Sequence, residues 1–252
     1  MAVGLACLLA EIGRAAPAHA QEQPPLRVAV AANFVATADA IARRLQIETG
    51  MRVLLTSGAT GHLFAQIAQG APFDVFLAAD EARPALAISQ ALATPNSQKT
   101  YALGQLVLFV PSSSAVREPR DLVRASVQRI AIANPRTAPY GAAAEAVFRH
   151  FGIHEPVAPK LVRGQNVLHA LQFVVTGNAD AGFVARSLVM DRPARQVLSI
   201  PRDAYAPIRQ DAVIVATTRQ PARARAFLDY LSSSAARDII ASAGYLLPDE
   251  AH

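Results

Sequence analysis

The chain has 252 residues, 52% of them apolar, and a formal net charge of +5. That length can bury one large core or two smaller ones, and nothing in the composition is low-complexity or collagen-like. The positive balance suits an anionic ligand, but Lys and Arg are scattered with no basic run, and Trp is absent, which argues against a nucleic-acid partner.

In chain order, Val3 to Ala10 is a short apolar stretch, and Ala18-His19-Ala20 has the small-residue pattern of a signal-peptidase site. Residues 1–20 therefore read as a signal peptide, with the mature start near Gln21. No Lys or Arg follows Met1, and Glu11 and Arg14 interrupt the segment, so an upstream start codon and a mature helix stand as alternatives. Cys7 is the only cysteine and would leave with the signal, so no disulfide is expected. No later run reaches the roughly 18 to 20 apolar residues of a membrane span.

Leu26 to Ala31 reads as a strand, Phe34 to Gln46 as an amphipathic helix and Met51 to Thr56 as a second strand, a βαβ opening. Phe64 to Gln69 continues a helix closed by Gly70 and Pro72, Val75 to Ala78 is a third strand, and Ala82 to Leu92 is helical. Tyr101 to Val110 is one long apolar strand ending at Pro111. The logic then repeats: Ile130 to Ala133 as strand, Asn134 to Gly141 as turn, and Ala142 to Phe151 as helix, with Pro139 suited to a first helical turn. A helix from Val167 to Val175 follows Asn166, a favoured N-cap, and Asp180 to Ala185 is a strand. Pro207 to Thr217 crosses back, and Pro221 to Leu231 and Ala235 to Ala243 are helices. The expectation is an α/β fold with largely parallel sheets in two lobes. Residues 26–104 and 208–252 form a discontinuous first lobe, residues 105–207 form the second, and a two-strand hinge joins them around a cleft.

Four turns in this pattern place free N–H groups where helices begin: at Asn33, at Ala59 to Gly61, at Tyr140-Gly141 and at Val167. The first two belong to one lobe and the others to the second. An enclosed oxyanion loses its hydration, and converging neutral donors offset that loss. A donor-only site also discriminates against hydrogen phosphate, whose O–H would find no acceptor.

Read together, the Ser57-Gly58-Ala59-Thr60-Gly61-His62 loop and the Gly70-Ala71-Pro72-Phe73-Asp74-Val75-Phe76 segment carry a resemblance. From about Val28 to Tyr245 the chain resembles the periplasmic molybdate-binding proteins of ABC transporters, which have the type II periplasmic binding protein fold. The resemblance implies a carrier that binds molybdate and tungstate, needs no cofactor, works as a monomer, and delivers its ligand to a membrane permease with a cytoplasmic ATPase. It assigns ligand contacts to Asn33, Thr60, Tyr140 and the backbone N–H of Val167. The bound metal is held only as its oxyanion, without direct protein ligands. Tyr140 with Ala185 matches the arrangement in which one phenol is available. Ala59 departs from a common serine, losing a hydroxyl but keeping an N–H.

Plainer readings stand beside these. Asn33 and Thr60 are also ordinary helix caps, Tyr140 an ordinary core aromatic, and His62 and Arg163 ordinary surface residues. A carrier of another oxyanion such as sulfate, or a ligand-sensing module, is the alternative function. Catalytic readings are weaker. His150 and His154 lack a third metal ligand, Ser57, His62 and Asp74 lack a nucleophile elbow, and the glycine loop lacks the Lys of a P-loop.

Overall fold

The computed structural model describes residues 23–250, so the expected signal segment, residues 1–20, and Cys7 lie outside the described residues. The first half opens with β1 (Leu26–Ala31), α1 (Val35–Thr49), β2 (Val53–Gly58), α2 (Thr60–Ala68), β3 (Val75–Leu77), α3 (Ala82–Ser89) and β4 (Lys99–Gly104). Strand β1 is almost wholly buried, as expected of an apolar run covered on both faces. Helix α1 turns Ala38, Ile41, Ala42 and Leu45 inward at helical spacing and ends at Gly50. There φ is 74° and the N–H of Gly50 closes on the Gln46 carbonyl, a left-handed cap that glycine adopts without steric cost.

The chain then builds β5 (Leu106–Phe109), β6 (Ile130–Ala133), α4 (Pro139–His150), the short α5 (His154–Val157), β7 (Leu161–Gly164), α6 (Val167–Val175), β8 (Ala181–Ala185) and β9 (Val197–Ser199). It returns through β10 (Ile208–Ile214) and finishes with α7 (Pro221–Tyr230) and α8 (Ser234–Ser242). Pro139 is the first residue of α4, and the Asn166 side chain caps α6 by accepting from the His169 N–H at 2.9 Å.

Two five-stranded sheets result, ordered β2-β1-β3-β10-β4 and β7-β6-β8-β5-β9. Both are mixed rather than largely parallel. In the first, β1 runs parallel to β2 and β3, while β10 is antiparallel to β3 and β4. In the second, β6 runs parallel to β7 and β8, while β5 is antiparallel to β8 and β9. The antiparallel member of each sheet, β10 or β5, arrives from the other half instead of through a helical crossover, so it is free to run the opposite way.

The expected strand from Tyr101 to Val110 is two strands. Gly104 pairs with Ile208 in the first sheet, and Leu106 pairs with Ala185 in the second. Only Gln105 lies between, so the chain changes sheets across one residue. Its side chain is anchored by donating to the Gly244 carbonyl at 2.8 Å. The second crossing covers the stretch from Ile200 to Pro207. Apolar side chains pack on both faces of the first sheet, and a separate core forms around the second.

Candidate functional site

Adjacent parallel strands bring the turns together in pairs. Ala31 and Gly58 stand opposite each other at the ends of β1 and β2, so the Ala32-Asn33 and Ala59-Thr60 turns lie side by side, tied by Ala32 N–H to the Gly58 carbonyl at 2.9 Å. The second sheet repeats this. Ala133 faces Gly164 at the ends of β6 and β7, and Asn134 N–H donates to the Gly164 carbonyl at 2.8 Å. Each pair sits at the carboxyl ends of neighbouring strands, the usual place for a ligand in an open α/β sheet.

The two pairs face each other across one small gap. Asn33, Ala59, Thr60, Tyr140 and Val167 all line it, so the structure brings the four sequence-derived contact positions together. No Lys, Arg, His, Asp or Glu is among the residues that line it. All five are buried, Val167 at 3% exposure and Thr60 at 1%. The backbone N–H groups of Asn33, Ala59, Thr60, Tyr140 and Val167 find no acceptor among the described residues. Buried N–H groups are seldom left unpaired, because each forfeits its hydration. Five around one gap describe a surface built to receive oxygen lone pairs. Helices α2, α4 and α6 begin there, adding the positive ends of their dipoles.

The side chains are more committed than the backbone. Both amide protons of Asn33 are used, donated to Gln210 Oε1 at 2.9 Å and Tyr245 Oη at 3.1 Å. Thr60 Oγ1 accepts from the Ala79 N–H at 3.1 Å, which leaves its own proton to donate. The Tyr140 phenol accepts from Gln210 Nε2 at 3.2 Å and lies against Gly104, which leaves its own proton to donate. Burial pushes the Tyr101 and Tyr140 phenols well above their ordinary range and that of Tyr245 up to about 12, so all three stay neutral near pH 7.

Direct bonds close the gap. At its mouth, Gly61 N–H donates to the Thr137 carbonyl at 2.9 Å and Arg83 Nη2 to the Arg136 carbonyl at 3.1 Å. Arg83 is steadied by its ion pair with Asp80.

Sequence and structure comparisons bear on this arrangement. The family described as bacterial extracellular solute-binding protein matches residues 26–246. The chain belongs to that family. It is 41% identical over 243 residues to the molybdate-binding protein ModA of Rhodobacter capsulatus, covering 96% of this chain and 95% of that one. It is 39% identical over 249 residues to the molybdate-binding protein ModA of Azotobacter vinelandii, covering 97% and 99%. The solved periplasmic molybdate-binding protein of Azotobacter vinelandii superimposes with a TM-score of 0.83 at 35% identity, covering 88% of this chain and 99% of that one.

As a solute-binding protein the chain keeps its other polar clusters apart. Asp74 sits at the amino end of β3, where its carboxylate accepts the Arg27 N–H at 2.7 Å, whereas Ser57 pairs with Val30 near the opposite end of the sheet. His150 packs edge-on against Phe151, and His154 pairs with Glu155. Among the described residues no three His, Cys, Asp or Glu side chains gather as metal ligands, and no helix is long and apolar enough to cross a membrane. Sequence reading missed Gln210, Tyr245 and Ser187 beneath the gap, and Thr137, whose hydroxyl is buried without a partner. The available signal was Gln210-Asp211 beside the apolar run Ala212-Val213-Ile214, since buried polar side chains in a strand call for partners.

Proposed function

We propose that this chain is the periplasmic substrate-binding component of an ABC transporter for molybdate, with tungstate taken by the same geometry. It is a carrier and not an enzyme. It works as a monomer, needs no cofactor, and hands the anion to a membrane permease driven by an ATPase. The observation that carries the reading is that five residues whose N–H groups have no acceptor among the described residues line one gap that has no charged side chain in its lining. Two relatives at 39% and 41% identity, both molybdate-binding by name, support the choice of anion.

Capture follows from the donor set. A dianion entering the gap exchanges its water shell for N–H groups at Asn33, Ala59, Thr60, Tyr140 and Val167 and for the Thr60 hydroxyl. Each helix end adds about 0.3–1 kcal/mol of charge stabilisation, and more in a buried setting. A fully deprotonated tetrahedral anion is all acceptor and matches donors on every side. Hydrogen phosphate carries an O–H that would face those donors, which costs affinity. The gap itself measures about 10 Å³, room for about one water-sized sphere. A four-oxygen anion is larger, so the halves part at Gln105 and at the Ile200–Pro207 crossing to admit it and close around it.

Calorimetric titration of the mature protein with molybdate, tungstate, sulfate and phosphate tests this. The expected result is one-to-one binding of the first two, with sulfate and phosphate at least about tenfold weaker. Sulfate binding more tightly than molybdate would keep the carrier and change its cargo. Silence with all four would overturn the reading.

A further inference from the structure

Below the gap lies a buried polar network that the binding chemistry alone does not require. Its centre is Gln210, fully buried in β10. Its Oε1 accepts from Asn33 Nδ2 at 2.9 Å and from the Tyr101 hydroxyl at 3.2 Å, while its Nε2 donates to Tyr140 Oη at 3.2 Å. Asn33 belongs to the first half and Tyr140 to helix α4 of the second. One side chain on a crossing strand therefore holds a donor turn from each.

Two further observations mark the position independently. The β10–β4 ladder shifts register between Gln210 and Asp211, an irregularity of the kind that re-aims a side chain. On the opposing strand stands Gly104, where a Cβ would lie 2.2 Å from Tyr140 Oη and 2.7 Å from Gln210 Nε2. Only glycine leaves room for this contact. A parallel link runs beside it. The Tyr245 hydroxyl donates to the Asn33 carbonyl at 2.7 Å, and Ser187 Oγ, from the second half, donates to the same carbonyl at 3.2 Å.

We propose that Gln210 is a positioning residue for anion capture: it locks the Asn33 turn and the Tyr140 helix end in the register at which their N–H groups face each other. The inference rests on the oxyanion-binding reading of the gap. Gln210 does not line the gap. It acts through Asn33 and Tyr140, and because β10 begins directly after the second crossing between the halves, the lock forms on closure and opens with the hinge. Its effect therefore falls on how long the closed state lasts, hence on ligand release, more than on ligand arrival.

The test is stopped-flow molybdate binding on wild type, Gln210→Met, Tyr140→Phe and the double variant. Gln210→Met keeps side-chain length, has no donor and accepts only weakly through its thioether. Tyr140→Phe removes only the phenolic oxygen and keeps the N–H. Each single variant is expected to raise the dissociation rate about fivefold or more while the association rate stays within about threefold. The double variant should be no worse than the more severe single one, because both break the same link. A merely structural role would lower the melting temperature without this split between rates. If Gln210→Met fails to fold, Tyr140→Phe carries the test alone and must show the same rate split. Wild-type dissociation in either single variant, or strictly multiplicative effects in the double, would overturn the inference. Wild type that does not bind molybdate would instead overturn the functional reading beneath it.

Discussion

Val167 brings no functional group except its N–H, and that makes it the sharpest residue to test. It is the first residue of α6, where proline is tolerated, and Asn166 before it is already extended at φ −147° and ψ 178°. Val167→Pro therefore deletes one donor and keeps the helix. Oxyanion affinity should fall about 5- to 150-fold, the value of roughly 1–3 kcal/mol for one lost hydrogen bond to a buried charged group, while Val167→Ala stays near wild type. Titration calorimetry of both variants checks this. Thr60 separates hydroxyl from backbone: Thr60→Ser should bind like wild type, and Thr60→Val should lose about tenfold in the same assay, since Val keeps the shape and the N–H. At this scale three of the four positions that line the gap, Asn33, Thr60 and Tyr140, were legible as turn residues flanking a helix start, and Val167 through family resemblance and its place after Asn166. Gln210 was not, because its partners Asn33, Tyr101 and Tyr140 are 177, 109 and 70 positions away along the chain, and no local pattern records such contacts.

The elements show why turn chemistry read better than sheet geometry. Helix α6 spans Val167–Val175, the range that the Asn166 cap and the apolar spacing predict. Replacing that cap by Asn166→Ala removes the bond to the His169 N–H, so stability should drop by about 1 kcal/mol in urea unfolding, and the loosened first turn should also weaken anion binding. Unchanged stability would mean that water replaces the cap at no cost. By contrast, the run from Tyr101 to Val110 gives no sign of its division, because residues on both sides of Gln105 are apolar and buried in one sheet or the other. Strand β7 was missed for the opposite reason: Leu161–Gly164 is short and includes exposed Arg163, and it gains order from pairing with β6. Parallel or antiparallel pairing was equally hidden, since direction depends on which half a strand arrives from.

For the whole molecule, closure couples ligand to fold. A ligand that binds only the native state adds RT ln(1 + [L]/Kd), about 4.1 kcal/mol at a thousandfold excess over Kd, so molybdate should raise the melting temperature by several degrees where phosphate does not. The buried tyrosines set the alkaline limit. The Tyr245 phenol is raised from 10 to about 12 by burial, so between those values the native state holds a proton that the unfolded chain has lost. Its contribution is fully present below pH 10 and is lost as pH rises through 12. Denaturant stability should accordingly show no tyrosine-linked loss between about pH 7 and 9 and decline above about pH 10. A tyrosine-linked decline beginning near pH 8 would show that these phenols are not held neutral by burial. Convergence of backbone donors from both halves on one oxyanion is tested by anomalous diffraction at the molybdenum edge from crystals grown with molybdate. A single strong peak is expected, enclosed by Asn33, Ala59, Thr60, Tyr140 and Val167, with N–H groups from both halves pointing at its oxygens. A peak elsewhere, or one coordinated by charged side chains, would contradict that convergence.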